Sequence, residues 1–504
     1  MKHKLEILTA LLLTSLYLQR VPVHAQSNSP SSELRTEVLM GMRIESIAQE
    51  GGETHVLTTG SEFVLGKDGR VRCFQRIPER REVAGVTLPG GALLKLEKRN
   101  DFASRFTAPG FSVTFQGDSL MIVRAEQDVK FDIEGLFRPA FQSEIKGNWL
   151  FIDDTGGFGL YPSTPKSPET RDLVHQGVKD RRGGTWFVNR ARSSPDDAGK
   201  EWSLRYGLAA SEELWLSVFP PRPYSQKHAD EILMAHEGSV DPYAHPTTAL
   251  IQSSSKHCKL MVVHSMLWPG GDRPPWKIPA FVPRDRKEFD RVREDLHRAG
   301  AKMVPYLSPF YYVGSDFLAE LQRAVEDYRV DGAYFDGVSM DFRKSYEFVR
   351  RSRQILGEDR ILFTHCTTDP LKSGVVYCPF IDTYSDYIYR GEAGRSGMEL
   401  DDFLRWTISG YHISNAVGYW VYTGSTAKPA APTKENPGGY VRQAPTREDI
   451  DAALRNEVRI PRTEIGYQPE ILWQPGDGHL EFFDRYYYGE LDRLRREKAT
   501  QEKK

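Results

Sequence analysis

The pattern of apolar and polar residues changes near the middle of the chain. In the N-terminal half, apolar residues alternate with polar ones over short runs, and glycine-bearing turns separate the runs. One clear case is the apolar pair of runs at residues 63–65 and 71–74, which flank the turn Gly66-Lys67-Asp68-Gly69. An Asp-Gly turn between two alternating runs predicts a β-hairpin. Many such runs in succession predict a β-sandwich domain over residues 30–225.

The C-terminal half has a different period. Beyond a predicted linker at residues 226–254, which contains a helical stretch, short apolar runs alternate with amphipathic helical patterns. The predicted strands are at residues 259–268, 301–309, 330–337, 361–366, 380–392 and 416–422. Strands that alternate with helices indicate βαβ units and a parallel sheet. Their number and spacing predict a TIM-like (β/α)8 barrel over residues 255–480, followed by a charged C-terminal helix and tail at 481–504.

The first 25 residues have the pattern of an export signal. Lys2 and Lys4 precede an apolar run that is too short to span a membrane, and Val23-His24-Ala25 is a suitable cleavage site. No other run reaches the length of a membrane helix. We therefore expect the mature protein to be secreted or periplasmic, without a membrane anchor after cleavage.

Composition and motifs limit the kinds of molecule that the protein is predicted to bind. The formal net charge is −2, so there is no electrostatic argument for binding nucleic acid. Nine Trp and 23 Tyr are compatible with sugar binding as well as with a large aromatic core. The cysteines have no CxxC spacing and no dinucleotide or P-loop motif follows a strand, so no metal or cofactor is predicted. Cys366 and Cys378 fall near the ends of neighbouring predicted strands, and an oxidising compartment would allow them to pair.

Asp336 is the strongest candidate for chemistry. It ends the apolar run Val330-Asp331-Gly332-Ala333-Tyr334-Phe335-Asp336-Gly337, which predicts a buried parallel strand. In an α/β barrel the active site lies at the C-terminal ends of the strands. The alternative is that Asp336 caps the helix that follows, because Asp is a favoured cap residue.

Two stretches carry a resemblance to known enzymes. The run AGAKMVPYLSP at residues 299–309 and the run VDGAYFDG at 330–337 resemble the middle of retaining glycoside hydrolase barrels of the α-galactosidase and α-glucosidase type. The later runs FTHCT and IDTYSDYIYRGE resemble bacterial barrel hydrolases that carry an N-terminal β domain. The resemblance covers residues 255–425 and implies that Asp336 is the nucleophile. Tyr334 departs from the Lys usual two residues before it, and Gly337 departs from the Asp-Glu pair of related β-N-acetylgalactosaminidases.

Glycoside cleavage requires a second carboxyl group beside Asp336. Glu392 is favoured as the acid, Asp386 is the next candidate, and Asp382 lies on the same predicted strand; each could instead be a helix cap or part of an ion pair. Six further residues near predicted strand ends are candidates for substrate binding, with Trp268 as a stacking platform: Trp268, His264, Tyr306, His365, Tyr384 and Arg390.

The sequence therefore predicts a secreted glycosidase that cleaves an oligo- or polysaccharide by a two-carboxylate mechanism. The N-terminal domain would gate the substrate or serve as a scaffold. Two alternatives remain: a barrel that binds carbohydrate without cleaving it, and a metal-dependent hydrolase or lyase in which His264, His365 and His412 converge with Asp336. The oligomeric state and the sugar are not predicted.

Overall fold

The structure is a computed structural model. It describes residues 34–166, 168–172, 178–179, 185–188, 202–225, 228–229, 234–238, 245–264, 267–271, 277–338, 340–365, 378–391, 397–420, 428–429, 440–441, 445–465, 471–472 and 479–501. The predicted signal segment, Glu392 and Cys366 lie outside these residues, so the predictions made for them remain predictions.

The N-terminal half contains two antiparallel sheets. Its strands are β1 Ile44–Glu50, β2 Glu53–Thr58, β3 Ser61–Leu65, β4 Arg70–Gln75, β5 Arg81–Thr87, β6 Lys95–Arg99, β7 Ala103–Ala108, β8 Phe111–Gln116, β9 Leu120–Ala125, β10 Val129–Gly135, β11 Phe141–Ile145, β12 Asn148–Asp153, β13 Gly156–Pro162, β14 Glu169–Asp172, β15 Val178–Lys179, β16 Thr185–Val188, β17 Trp202–Leu208 and β18 Glu213–Phe219. One sheet has the order β1-β2-β3-β4-β5-β10-β17-β14, and the other has the order β15-β16-β11-β12-β13-β18-β9-β8-β7-β6.

The two sheets share one hydrophobic core. The predicted hairpin is present as β3 and β4, with Phe63 paired to Cys73. Phe63 on the first sheet lies 4.9 Å, centroid to centroid, from Phe115 on the second. One buried cluster contains Val56 and Phe131 from the first sheet together with Leu216 from the second. Alternation therefore buries one face of each sheet against the other, as the sequence pattern requires.

The C-terminal half is built on a parallel sheet. Its strands are β19 Met234–Gly238, β20 Leu260–Val263, β21 Lys302–Leu307, β22 Gly332–Asp336, β23 Ile361–His365, β24 Tyr387–Arg390, β25 Val417–Trp420, β28 Val458–Arg459 and β29 Arg462–Ile465. The order is β28-β25-β24-β23-β22-β21-β20-β19-β29, and each of these pairings is parallel. A separate small sheet contains β26 Lys428–Pro429, β27 Tyr440–Val441 and β30 Ile471–Leu472.

Helices connect most of the parallel strands. They are α1 Thr248–Ser254, α2 Arg286–Arg298, α3 Phe317–Glu326, α4 Phe342–Leu356, α5 Pro379–Asp382, α6 Leu400–Phe403, α7 Arg447–Arg455 and α8 His479–Gln501, and a π-helical turn at Leu404–Ile408 continues α6. Asp side chains cap α2, α3 and α4. No helix among the described residues is both long and apolar enough to cross a membrane.

Two segments differ from the sequence prediction. Residues 234–238 were predicted to be part of a linker helix, but they form β19, which pairs with β20 on one side and β29 on the other. Met, Ala and Glu in this segment favour a helix by their local propensity. Hydrogen bonding to a strand on each side outweighs that propensity. Residues 380–386 were predicted to begin a strand. Pro379–Asp382 is instead a helix, with Pro at its first position, where its fixed φ favours helix, and the strand begins at Tyr387.

The two halves contact each other through aromatic side chains and a buried carboxylate. Trp215 of β18 packs edge-on against Phe342 and Tyr346 of α4, with ring centroids 5.3 Å apart in each case. Asp118, in the turn after β8, accepts hydrogen bonds from the hydroxyls of Tyr346 at 2.5 Å and Tyr384 at 2.7 Å. Burial raises the pKa of Asp118, and the nearby Arg350 opposes this effect. The N-terminal sheets are therefore docked onto α4, the helix that follows β22.

Candidate active site

Four consecutive parallel strands place polar and aromatic residues at one level near their C-terminal ends. Asp336 of β22 is in register with His365 of β23, His365 with Tyr389 of β24, and Tyr389 with Tyr419 of β25. Side chains alternate along a strand, so Phe335 faces the other way and packs against the helices. The row of Asp336, His365, Tyr389 and Tyr419 thus shares one face of the sheet.

The carboxylate of Asp336 has close polar neighbours on both sides. The Tyr306 hydroxyl, from β21, donates a hydrogen bond of 2.5 Å to Oδ2 of Asp336. Nδ1 of His365 lies 2.9 Å from Oδ1, and the Asp336 side chain remains 14% exposed. Donors that face a carboxylate favour its charged form. This environment suits a nucleophile or general base better than an acid.

A second tyrosine contacts His365. The Tyr334 hydroxyl lies 2.8 Å from the same Nδ1 atom that approaches Asp336. The ring of Tyr389 packs against His365 on the other side, with centroids 4.9 Å apart. Tyr334 and Tyr389 thus hold the His365 ring beside the Asp336 carboxylate.

His264 lies close to this group and is buried. It follows β20, and its ring packs against Tyr306 with centroids 4.5 Å apart. Burial lowers the pKa of His264 to about 3, and the Asp336 charge only partly opposes that effect. His264 is thus neutral at the pH of most solutions and adds a polar but uncharged group beside Tyr306.

Asp336 is not the cap of the next helix. That position belongs to Asp341, whose side chain accepts hydrogen bonds from the backbone of Arg343 and Lys344 at the start of α4. The structural alternative considered for Asp336 is therefore excluded. The carboxylate is placed at the strand end and is not required to start α4.

Asp386 lies at the other end of the sheet. It precedes β24, and its Oδ2 accepts hydrogen bonds from the buried Arg353 at 2.7 Å and from the backbone of Leu362, near the start of β23, at 2.8 Å. Its Oδ1 lies 3.3 Å from His228. The prediction that Asp386 follows its strand core was wrong, because the core that precedes it is helix α5. Asp386 is part of a buried ion pair and is not brought near Asp336.

Three of the predicted binding residues are packed elsewhere. Arg390 lies on the face of β24 opposite Tyr389 and forms a buried ion pair with Asp382. Tyr384 is fully buried in the contact between the two halves, against Asp118. Trp268 is fully buried between Phe281 and Phe289, and its Nε1 donates to the Tyr306 carbonyl at 2.5 Å, so it cannot stack on a sugar. The apolar contacts of the indole ring with these two Phe rings account for the burial of Trp268.

Of the predicted binding residues, His264, Tyr306 and His365 are brought together around Asp336. The sequence interpretation missed three others that belong to the group: Tyr334, Tyr389 and Tyr419. The alternate spacing of Tyr387 and Tyr389 indicates that both lie on one face of a strand, which is the signal that would have identified Tyr389. No group of three or more metal-ligating side chains occurs among the described residues. The third predicted histidine, His412, packs against Trp406.

No family model matches the chain, and no curated protein matches it. Among solved structures, it is similar to a family GH31 sulfoquinovosidase from E. rectale, with 9% identity, 88% of this chain and 82% of that chain covered, and a TM-score of 0.39. It is also similar to an α-N-acetylgalactosaminidase from Bifidobacterium bifidum, with 8% identity, 87% and 92% covered, and a TM-score of 0.35. A maltogenic α-amylase from Thermotoga neapolitana has 12% identity, 51% and 76% covered, and a TM-score of 0.32. Because these TM-scores are below 0.5, such similarities do not by themselves define the activity of this chain.

Proposed function

We propose that this chain is a secreted glycoside hydrolase in which a β-sandwich precedes a (β/α)8 barrel. The barrel is supported by the ends of the parallel sheet. β28 pairs with β25 and β29 pairs with β19, and only Ile460 and Pro461 separate β28 from β29. In this proposal the segment 458–465 is the eighth strand, which closes the sheet on itself. The sandwich is supported by the core that the two N-terminal sheets share.

The position and surroundings of Asp336 carry the functional proposal. Its carboxylate ends the central strand β22, remains partly exposed, accepts a hydrogen bond from the Tyr306 hydroxyl and faces Nδ1 of His365. In a parallel barrel, this end of the strands is where substrate binds. We assign Asp336 the role of nucleophile or general base, acting on the anomeric carbon or on a water molecule beside it.

Glu392 is the proposed acid partner. It follows Gly391, directly after β24, and is three residues beyond Tyr389, the residue in register with His365. Three residues of extended chain span at most about 10 Å, and this short distance along the chain from Tyr389 is the reason for proposing Glu392. An oligo- or polysaccharide is the proposed substrate.

A screen against aryl glycosides tests this function. The mature protein, without residues 1–25, is assayed on a panel of p-nitrophenyl α- and β-glycosides. Asp336→Asn should lower kcat on the best substrate by about 10²–10⁴-fold, because it removes the proposed nucleophile or base. Glu392→Gln should lower it similarly for a natural leaving group and less for p-nitrophenolate, which needs little protonation. Asp382→Asn is not a suitable control, because Asp382 is ion-paired with the buried Arg390.

The matched control is Asp341→Asn, which changes an exposed carboxylate that caps α4 and should leave kcat unchanged. Turnover by Asp336→Asn at the wild-type rate would refute the assignment of Asp336. Binding of glycosides without cleavage by the wild-type protein would favour the alternative, a carbohydrate-binding barrel. Export is tested by N-terminal sequencing of the mature protein, which should begin at or near Gln26.

A further inference from the structure

One aromatic side chain near Asp336 is exposed, whereas the other rings in this region are packed. Phe310, in the loop after β21, is 46% exposed. Its ring contacts Tyr311 edge-on, with centroids 4.9 Å apart. A single exposed Phe is common on protein surfaces, so the functional argument depends on where Phe310 lies relative to Asp336.

The loop that carries Phe310 is attached to the end of β22. The Ser308 hydroxyl donates a hydrogen bond of 2.7 Å to the backbone carbonyl of Asp336 and accepts one of 3.2 Å from the backbone of Tyr311. The far side of the loop is held by Ile278, which exchanges backbone hydrogen bonds with Tyr311 and Val313 at 3.0 and 2.9 Å. Phe310 therefore occupies the tip of a loop that is fixed at both ends.

Gly337 brings Phe310 close to the end of β22. Its φ is +80°, and a Cβ placed on it would lie only 2.7 Å from the Cβ of Phe310. A side chain at 337 would thus displace Phe310, so the glycine permits this close approach. Gly337 adjoins Asp336 in the chain, so the Phe310 Cβ lies within about 8 Å of the Asp336 Cα.

We propose that Phe310 is a stacking platform for the leaving-group sugar, the ring on the outer side of the bond that Asp336 attacks. The C–H face of a pyranose packs on an aromatic ring, and a ring that is more exposed than the carboxylate contacts the outer part of the substrate. This inference rests on the proposed glycosidase function and adds a requirement to it: the enzyme prefers glycosides with a ring-shaped leaving group over those with a methyl group.

Binding to a protein that cannot turn over separates the two proposals. The Asp336→Asn protein is titrated calorimetrically with the p-nitrophenyl glycoside that the wild-type protein binds best and with the methyl glycoside of the same sugar. Adding Phe310→Ala should raise the Kd for the aryl glycoside about 10-fold or more, which corresponds to the exposed apolar face of one Phe. The Kd for the methyl glycoside should stay unchanged. Phe310→Trp should keep the preference for the aryl ligand.

Val313→Ala is the matched control, because Val313 is 54% exposed in the same loop and its loss should change neither Kd. Equal Kd values with and without Phe310, or equal weakening of both ligands, would overturn the platform while leaving the glycosidase proposal intact if the wild-type protein hydrolyses glycosides. Absence of binding and of cleavage for the whole panel would overturn both. Unchanged thermal unfolding of Phe310→Ala verifies that the variant is folded.

Discussion

Two aspartates on the same parallel sheet have opposite environments. Asp336 ends β22, and Asp386 precedes β24, with β23 between them. Asp336 is level with His365 at the end of β23, whereas the Asp386 carboxylate binds the backbone of Leu362 near its start. Three residues of strand separate these levels, or about 10 Å along the sheet. The two carboxylates are at opposite ends of the strands.

Their partners differ as much as their positions. Asp386 has a side chain that is 1% exposed and is paired with Arg353, whose side chain is fully buried. Asp336 is partly exposed and faces a tyrosine hydroxyl and a histidine nitrogen. A buried carboxylate that neutralises a buried guanidinium maintains the fold, and a partly exposed one beside a hydroxyl and an imidazole is available for chemistry.

Of the substitutions at these two aspartates, we expect Asp386→Asn to cause the larger loss of stability. Asp386→Asn leaves the buried Arg353 charge without its carboxylate and should lower the free energy of unfolding by about 3–5 kcal/mol. Asp336→Asn, the matched substitution, should change it by less than about 1 kcal/mol, because this carboxylate is partly exposed and faces a hydroxyl and a histidine ring. Urea unfolding of both variants at pH 7 measures the difference. Equal destabilisation of the two would show that Asp336 is also a structural residue.

A smaller effect is expected at Tyr306. Tyr306→Phe removes the hydroxyl that donates to Oδ2 of Asp336 and keeps the ring against His264. A hydrogen bond to a charged group contributes about 1.5–3 kcal/mol, so kcat/KM on the best aryl glycoside should fall about 10- to 100-fold. Tyr411→Phe, at a 38% exposed position, is the control and should have wild-type kinetics. Wild-type kcat/KM in Tyr306→Phe would mean that the hydroxyl does not support the reacting carboxylate.

The sequence predicted the parts of the fold that depend on local patterns. The hairpin of β3 and β4 follows from alternation and its Asp-Gly turn, and β22 follows from an apolar run between helices. Asp336 could be predicted to lie at the C-terminal end of β22, because the apolar run that forms this strand ends at residue 336. Its interaction with Tyr306 and His365 depends on register between strands.

Three of the errors share one physical cause. Asp386, Tyr384 and Arg390 were assigned from one assumed strand, and the helix α5 shifts the strand start to Tyr387. A shift in where a strand begins moves a residue from one end of the sheet to the other, and a shift of one residue changes its face.

Trp268 has a different cause. It was predicted at the end of a strand over residues 259–268, but β20 ends at Val263. The burial of Trp268 depends on residues from α2 and the 277–283 loop, which no local pattern reveals.

Each of the two aspartates also has a histidine near it, and these differ in burial. Burial lowers the pKa of His264, near Asp336, to about 3, and it also lowers the pKa of His228, near Asp386, where the ring is 22% exposed. A histidine with a lowered pKa stays neutral in the folded protein while it gains a proton in the unfolded chain below pH 6.5. Stability is therefore complete above pH 6.5 and is lost as the pH falls.

His264→Gln should reduce this loss, by up to about 1.4 kcal/mol for each pH unit between 6.5 and 4, because Gln does not take up a proton. His228→Gln is the matched control and should reduce it less, since His228 is less buried. The free energy of unfolding in urea, measured at intervals from pH 7 to pH 4, gives the slope for each protein. A slope in His264→Gln equal to that of the wild-type protein would show that His264 is protonated in the folded state, and the neutral environment inferred beside Tyr306 and Asp336 would then be wrong.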